Sequence, residues 1–351
     1  MKIVTVLGAR PQFIKAAPVC HALKRGGHEE ILVHTGQHYD ANMSDVFFDE
    51  LNIPKPAVNL QVGSGTHGKQ TGEMLAKIEE VLTQHKPDHL LVYGDTNSTL
   101  AGALAACKLG IPIAHVEAGL RSFNRSMPEE HNRVLTDHCS ELLFCPTETA
   151  VKHLKNEGIQ KGVHKVGDTM LDAVLQFRQI AAKKSRAMHT LSLQPKEFYL
   201  ATIHRPYNTD DPKALKAALE ALSALGKAVV FPLHPRTRPK IAGIKIGSNV
   251  KLCDPLGYLD MLLLQENARI VLTDSGGVQK EAFFLKTPCV TLRTETEWVE
   301  TVETGWNIVV GTDPSGVVKA VKAFENNTPQ PPANFFGSGD AADRIVKILG
   351  A

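Results

Sequence analysis

Residues 89–122 read HLLVYGDTNSTLAGALAACKLGIPIAHVEAGLRS. Two apolar runs, HLLVYGD (89–95) and IPIAHVE (111–117), flank an alanine-rich helical stretch, LAGALAACKLG (100–110). Neither run alternates apolar with polar, as a strand with one wet face would. Both therefore read as parallel strands buried on both faces, with a covering helix between them. Each run closes on a carboxylate, Asp95 or Glu117, and each carboxylate is followed by small or capping residues. A strand that only builds a core has no need to end that way.

The same pattern extends in both directions. KIVTVLG (2–8), EILVHTG (30–36) and ELLFCPT (141–147) complete a first set of strands, with TGEMLAKIEEVLTQH (71–85) as a helix. A second set follows: FYLATIH (198–204), KAVVFPLH (227–234), ARIVLTD (268–274), TPCVTLR (287–293) and NIVVG (307–311). Two such sets predict an α/β chain of two doubly wound, Rossmann-like domains, with a ligand in the cleft between them. The expected division is 1–168, 169–336 and a terminal helix over 337–351 that packs back on the first domain. NNTPQPPAN (326–334) reads as a loop.

Bulk composition excludes several classes. Lys and Arg total 39 against 37 Asp and Glu, so there is no basic field for nucleic acid or an anionic membrane. No run is apolar enough to span a bilayer. The start, MKIVTVLGARPQ, reads as a first strand and not as a signal peptide. The six cysteines form no CxxC pair, which points to reduced, buried thiols in a cytoplasmic protein.

Ligands of doubly wound sheets sit beyond the carboxyl ends of the strands. After the first strand, GARPQFIK (8–15) brings Arg10 and Lys15 to a helix start; it is not GxGxxG, so a nicotinamide cofactor is not expected. GDTNST (94–99) carries Asp95, which otherwise reads as a capping residue. MPEEHNR (127–133) offers Glu129 and Glu130, which also suit a helix dipole. With Glu117, and with Arg121 and Arg133 nearby, these look like acid/base machinery. His115, Glu117, His131, Asp137 and His138 lack the spacing of a metal site, and no metal is expected. ATIHRPYN (201–208) and FPLHPRTR (231–238) place His204, Arg205, His234, Arg236 and Arg238 at strand ends, a lining suited to phosphates. In IVLTDSGGVQKEAFF (270–284), Ser275, Gly276 and Gly277 let backbone N–H groups approach an anion at a helix start. Glu281 follows as an acceptor for sugar hydroxyls, so the stretch predicts a diphosphate with a ribose attached. RTETEWVE (293–300) is a polar loop after another strand and is weak evidence alone.

Taken together and in order, GARPQFIK, TGQHYD, YGDTNST, HVEAGLRS, MPEEHNR, IHR, PLHPRT, TDSGGVQKEA and RTETEWVE resemble the non-hydrolysing UDP-N-acetylglucosamine 2-epimerases along nearly the whole chain. The resemblance implies the two-domain fold of the GT-B glycosyltransferases, a homodimer, a UDP-sugar substrate and no cofactor. It implies elimination of UDP across C1–C2 to a glycal, then re-addition with a proton delivered to the opposite face of C2. Asp95, Glu117 and Glu129 would be the acid/base group and His204 would serve the leaving group. Arg10, Lys15, His234, Arg236, Ser275, Gly276, Gly277 and Glu281 would bind substrate. Departures narrow the reading. GARPQFIK replaces GTRPEAIK, HRPY replaces HRRE with Pro206, and Asp40 stands where glutamine is common; these positions belong to activation by a second substrate molecule in the family. GARPQFIK, DANMS, LHPRTR and TEWVE are closer to the branch acting on UDP-2,3-diacetamido-2,3-dideoxyglucuronate, whose carboxylate needs a cation such as His67, Lys69 or Arg125. The main alternative is a GT-B glycosyltransferase, which would need one base and an acceptor site in place of three carboxylates. A hydrolysing relative and an inactive UDP-sugar sensor are further alternatives.

Overall fold

The computed structural model describes residues 1–37, 48, 50–327, 329–330 and 334–351; Asp40 and the rest of DANMS lie outside the described residues. The chain forms two units, 1–175 with 334–351, and 176–333. The division falls between Leu175 and Gln176, inside the helix Thr169–Lys184, and not at 168. That helix is continuous, so no loop marks the boundary for a sequence pattern to find.

The first unit holds a seven-stranded sheet in the order β3-β2-β1-β4-β5-β6-β7. Its strands are β1 (Lys2–Leu7), β2 (Glu29–His34), β3 (Val58–Asn59), β4 (His89–Tyr93), β5 (Ile113–Val116), β6 (Leu142–Cys145) and β7 (Val163–Lys165). Every pairing is parallel. The second unit holds six parallel strands in the order β10-β9-β8-β11-β12-β13. These are β8 (Phe198–Thr202), β9 (Ala228–Pro232), β10 (Val250–Cys253), β11 (Ile270–Thr273), β12 (Cys289–Thr291) and β13 (Asn307–Val309). In each sheet the winding reverses once, between β1 and β4 and between β8 and β11. Such a reversal splays the flanking connections to opposite faces and leaves a crevice at the strand ends.

The strands are apolar on both faces because helices cover both. On one face of the first sheet, Val4, Val33, Leu90 and Ile113 pack with Met74, Ile78 and Leu82 of the helix His67–His85 and Ala101 and Ala105 of Asn97–Leu109. In the second, Tyr199, Leu272 and Val290 pack with Leu215, Leu219, Val317 and Val321. Burying each such aliphatic side chain contributes about 1.5–3 kcal/mol. The helix Asn97–Leu109 starts where the Thr96 side chain accepts the Thr99 N–H and stops at Gly110, φ 66°. The C-terminal helix Ala341–Leu349 docks in the first unit, where buried Asp172 accepts the N–H groups of Ala341 and Ala342 at 3.3 and 2.8 Å.

Cys20, Cys145 and Cys289 are buried free thiols, but Cys107 is exposed on its helix. Among the described residues no helix is long and apolar enough to cross a membrane.

Candidate active site

The β1–β4 crevice gathers the first group of candidate side chains. Gly8 leaves β1 so close to β4's connection that an added Cβ would lie 2.1 Å from Ser98 Oγ and 2.2 Å from Thr35 Oγ1. The helix Arg10–Arg25 starts at once, with half-buried Arg10 as its first residue. Its side chain Gln12, 2% exposed, accepts the N–H groups of Gly8 and Ala9 at 2.8 and 3.0 Å. The same amide donates to Tyr93 O at 2.8 Å and to Thr96 and Thr99 Oγ1 at 3.0 Å each. One glutamine thus sews the exit of β1 to the exit of β4. One turn on, Lys15 Nζ forms an ion pair with Glu117 Oε2, both side chains nearly shut off from solvent.

Glu117 is held in a left-handed backbone conformation, φ 73°. For a residue with a Cβ that costs on the order of 1–3 kcal/mol and persists only where surroundings enforce it. Here they do. The N–H groups of Glu117 and Ala118 both donate to Phe144 O of β6 at 3.1 Å. Gly94, φ 64°, ends β4 beside the pair; a Cβ there would come within 3.4 Å of Glu117 Oε2. The turn after β4 is glycine because its left-handed backbone favours a residue without a Cβ. Asp95 follows, partly exposed, and its carboxylate pairs with Arg133 of the helix Pro128–Cys139.

The same helix separates the two glutamates of MPEEHNR. Glu130 is buried and spent on structure: it accepts Ser122 N–H and O–H at 2.9 Å each, Phe123 N–H at 2.8 Å and Arg133 Nη1 at 3.0 Å. Burial pushes its carboxyl up, but these donors outweigh burial and hold it below the usual range. Glu129 stays half-buried on the next position round the helix.

Arg121 is not part of the acid/base lining that its position suggested. It is buried, bidentate to Glu157 at 2.7 Å through Nε and Nη2, and bonded to Asp137 Oδ2 at 2.7 Å through Nη1. Asp137 also accepts Gly119 N–H at 3.1 Å and bonds His115 Nδ1 at 2.7 Å, while His115 Nε2 meets Gly94 O at 2.7 Å. Burial raises the Asp137 carboxyl, yet His115 and Arg121 pull it below its ordinary value. This cluster fixes the EAGLR turn and so the direction of Glu117. His115 and Asp137 bond each other, and among the described residues no group of three His, Cys, Asp or Glu side chains is placed to hold a metal.

In the second unit the β8–β11 crevice has a parallel design. Fully buried Asp274 accepts His204 N–H at 3.0 Å, Arg205 N–H at 2.9 Å and Asn208 Nδ2 at 3.1 Å. The His204 ring stacks on His234, centroids 5.3 Å apart. His234 Nδ1 in turn accepts the Arg236 N–H at 3.2 Å. The Arg236 side chain is exposed and lies 3.9 Å from Asp210, and Arg238 pairs with Asp254 at the surface, so neither arginine turns on the His204 ring. At the end of β11, Ser275 caps the helix Gly276–Phe284 by accepting Val278 N–H at 3.5 Å. Gly277 is its second residue. Glu281 is buried, with one oxygen accepting Gln265 Nε2 at 2.7 Å. RTETEWVE, weak as sequence, packs on this helix: Thr296 Oγ1 donates to Gln279 Oε1 at 2.7 Å.

Each crevice thus pairs anchored carboxylates or imidazoles with a helix start, an arrangement suited to proton transfer beside a bound anion. A family model for UDP-N-acetylglucosamine 2-epimerase matches residues 21–350. The chain belongs to the UDP-N-acetylglucosamine 2-epimerase family. It is 54% identical to a UDP-N-acetylglucosamine 2-epimerase homolog of Methanococcus maripaludis, over 99% of both chains. It is 51% identical to the UDP-2,3-diacetamido-2,3-dideoxy-D-glucuronate 2-epimerase of Pseudomonas aeruginosa, again over 99% of both. A crystal structure of Methanocaldococcus jannaschii UDP-GlcNAc 2-epimerase in complex with UDP-GlcNAc and UDP superposes with a TM-score of 0.94 at 46% identity, covering 100% of this chain and 99% of that one.

Side chains that anchor the two candidate crevices escaped the sequence reading: Gln12, Glu130 in its clamping role, Asp137 as an anchor, Asp274 and Gln279. Asp274 lies inside a motif that was read, TDSGG, and an acidic residue closing an apolar strand was the signal that could have found it.

Proposed function

We propose that the protein is a non-hydrolysing UDP-sugar 2-epimerase, an isomerase that interconverts gluco and manno epimers at C2. A carboxylate takes the C2 proton while the C1–O bond to UDP breaks, leaving a C1=C2 double bond and free UDP. UDP oxygen then adds back to C1 as a proton arrives at the other face of C2. Asp95, Glu117 and Glu129 are assigned to these transfers, and His204 to the leaving diphosphate. Arg10 and Lys15 are assigned to the sugar–phosphate side, Ser275, Gly276 and Gly277 to the diphosphate, and Glu281 to the ribose. The observation that carries the reading is the Lys15–Glu117 pair, a nearly buried carboxylate held on a strained backbone at a strand end. Strain kept at one carboxylate is a mark of a functional site.

Two substrates are in play. The family name supports UDP-N-acetylglucosamine. The 51% identity to the Pseudomonas aeruginosa enzyme supports UDP-2,3-diacetamido-2,3-dideoxyglucuronate, with exposed Arg125 as a cation for its carboxylate. Family resemblance also supports a cytoplasmic homodimer serving cell-surface polysaccharide synthesis, including lipopolysaccharide, and light scattering after gel filtration tests the dimer. Proton NMR in D2O with each sugar nucleotide tests the reaction: deuterium at C2, a growing manno epimer and no free monosaccharide are expected. Asp95→Asn and Glu117→Gln should each lower turnover by about 10²–10⁴ while UDP still binds. Absence of exchange with both sugars would refute the assignment.

A further inference from the structure

We propose that Glu297 is a built-in counter-charge at the start of the helix Gly276–Phe284, one that loosens the hold on a diphosphate so that the nucleotide can leave. This rests on reading that helix start as the diphosphate site.

The positive end of the helix already faces a carboxylate of the protein itself. A Cβ placed on Gly276 would lie 2.5 Å from Glu297 Oε1 and 3.3 Å from Trp298 Nε1. Glycine at this position therefore makes room for Glu297 as well as for any ligand. The carboxylate is fixed from both sides. Arg293 Nη1 forms an ion pair with Glu297 Oε2 at 3.0 Å, with side-chain exposures of only 4% and 10%. Thr296, next to it, donates to Gln279 of the helix at 2.7 Å and accepts Trp298 N–H at 3.1 Å. Lys280, fully buried on the same helix, sits 3.9 Å from the Trp298 ring centroid. Arg293 thus holds the carboxylate beside the first helical turn, and Lys280 holds the neighbouring Trp298 ring.

A helix start attracts anions through its free N–H groups and its dipole. A carboxylate fixed there spends part of that attraction and repels a second anion. It also occupies Arg293, which would otherwise be a strong phosphate donor. For an enzyme that splits and rejoins the bond to UDP, the hold must outlast the intermediate yet release the finished sugar nucleotide. Glu297 sets that balance as a positioning residue, without touching the reacting carbons.

The test is calorimetric titration of the full-length protein with UDP and with uridine, for wild type, Glu297→Gln and Glu297→Asp. Removing a like charge near the diphosphate is expected to tighten UDP by about tenfold in the Gln variant and to leave uridine within about twofold. Added salt narrows the difference. The Asp variant keeps a charge for Arg293 but draws it back from the helix start, and falls between the two. kcat and KM fall together in Glu297→Gln, because release slows. UDP bound no tighter by either variant, or UDP and uridine shifted equally, would overturn the proposal and leave Glu297 a plain partner of Arg293. If the Gln variant does not fold, the Asp variant carries the same comparison. Wild type that binds neither UDP nor uridine would instead remove the diphosphate reading beneath it.

Discussion

Replacing Gln12 separates two jobs that one side chain performs. Its carbonyl oxygen accepts Gly8 and Ala9 N–H groups, and its amide donates toward Tyr93 O, Thr96 and Thr99. In Gln12→Ala both N–H groups lose their acceptor in a site shut off from solvent. Tyr93 O keeps one donor, Thr99 Oγ1 at 2.6 Å. Each stranded buried group costs about 1–3 kcal/mol, and the variant should lose about 3 kcal/mol. For a chain of 351 residues that lowers Tm by roughly 4 °C. Gln12→Glu tells donors from acceptors. The carboxylate still accepts Gly8 and Ala9 N–H groups but turns a lone pair on Tyr93 O, a loss of about 2 kcal/mol at pH 8. Protonated, it regains a donor, so its folded-state pKa is raised. The lost stability therefore returns as pH falls through that raised value, and the gap to wild type narrows towards pH 5. Far-UV circular dichroism melts at pH 8 and pH 5 measure both effects. A Glu variant as stable as wild type at pH 8 would refute the view that the amide donor ties β1 to β4.

Further variants probe the other anchors. Burial raises the Asp172 carboxyl to about 6, against the hydrogen bonds from Ala341 and Ala342 that lower it. An acid raised in the fold stabilises less as pH climbs between 3.8 and about 6, so Asp172→Asn should gain on wild type across that window, by about 1–2 kcal/mol above it after loss of one hydrogen bond, measured by urea titration. Glu130, held below 4.5, contributes fully above that pH and less as pH falls through its lowered value, so Glu130→Gln should cost about 2 kcal/mol at pH 7 and less in acid; equal cost at both pH values would argue against the charged clamp. Asp274→Ala strands the His204 and Arg205 N–H groups and should lower kcat/KM by more than about tenfold with His204 itself intact, read by C2 deuterium exchange.

The strands with long apolar runs were legible because burial on both faces leaves no other composition. KIVTVLG, HLLVYGD and ARIVLTD became β1, β4 and β11 within two residues at each end. The edge strands Val58–Asn59, Val163–Lys165 and Val250–Cys253 were not, because they are two to four residues long and partly exposed. The division between Leu175 and Gln176 was not legible beyond a limit near 168 for a similar reason: a continuous helix carries no punctuation. At the candidate site, the residues proposed for chemistry carry a local signal in the sequence, and the side chains that support them do not. Glu117 stands out in sequence as a carboxylate where a strand should end. Arg121 stands out for the same reason and is a support, bonded to Asp137 16 residues away and to Glu157 36 residues away. Gln12 finds its acceptor at a separation of 81 residues. Such pairings are set by which strands the sheet makes neighbours. Local pattern can show that a polar residue lies at a strand end, but only the strand order tells whether it faces a ligand or a second strand's loop. The reversal between β1 and β4 brings Gln12 and Asp95 to one crevice, and the reversal between β8 and β11 does the same for His204 and Ser275. Both candidate sites follow from where the winding turns back.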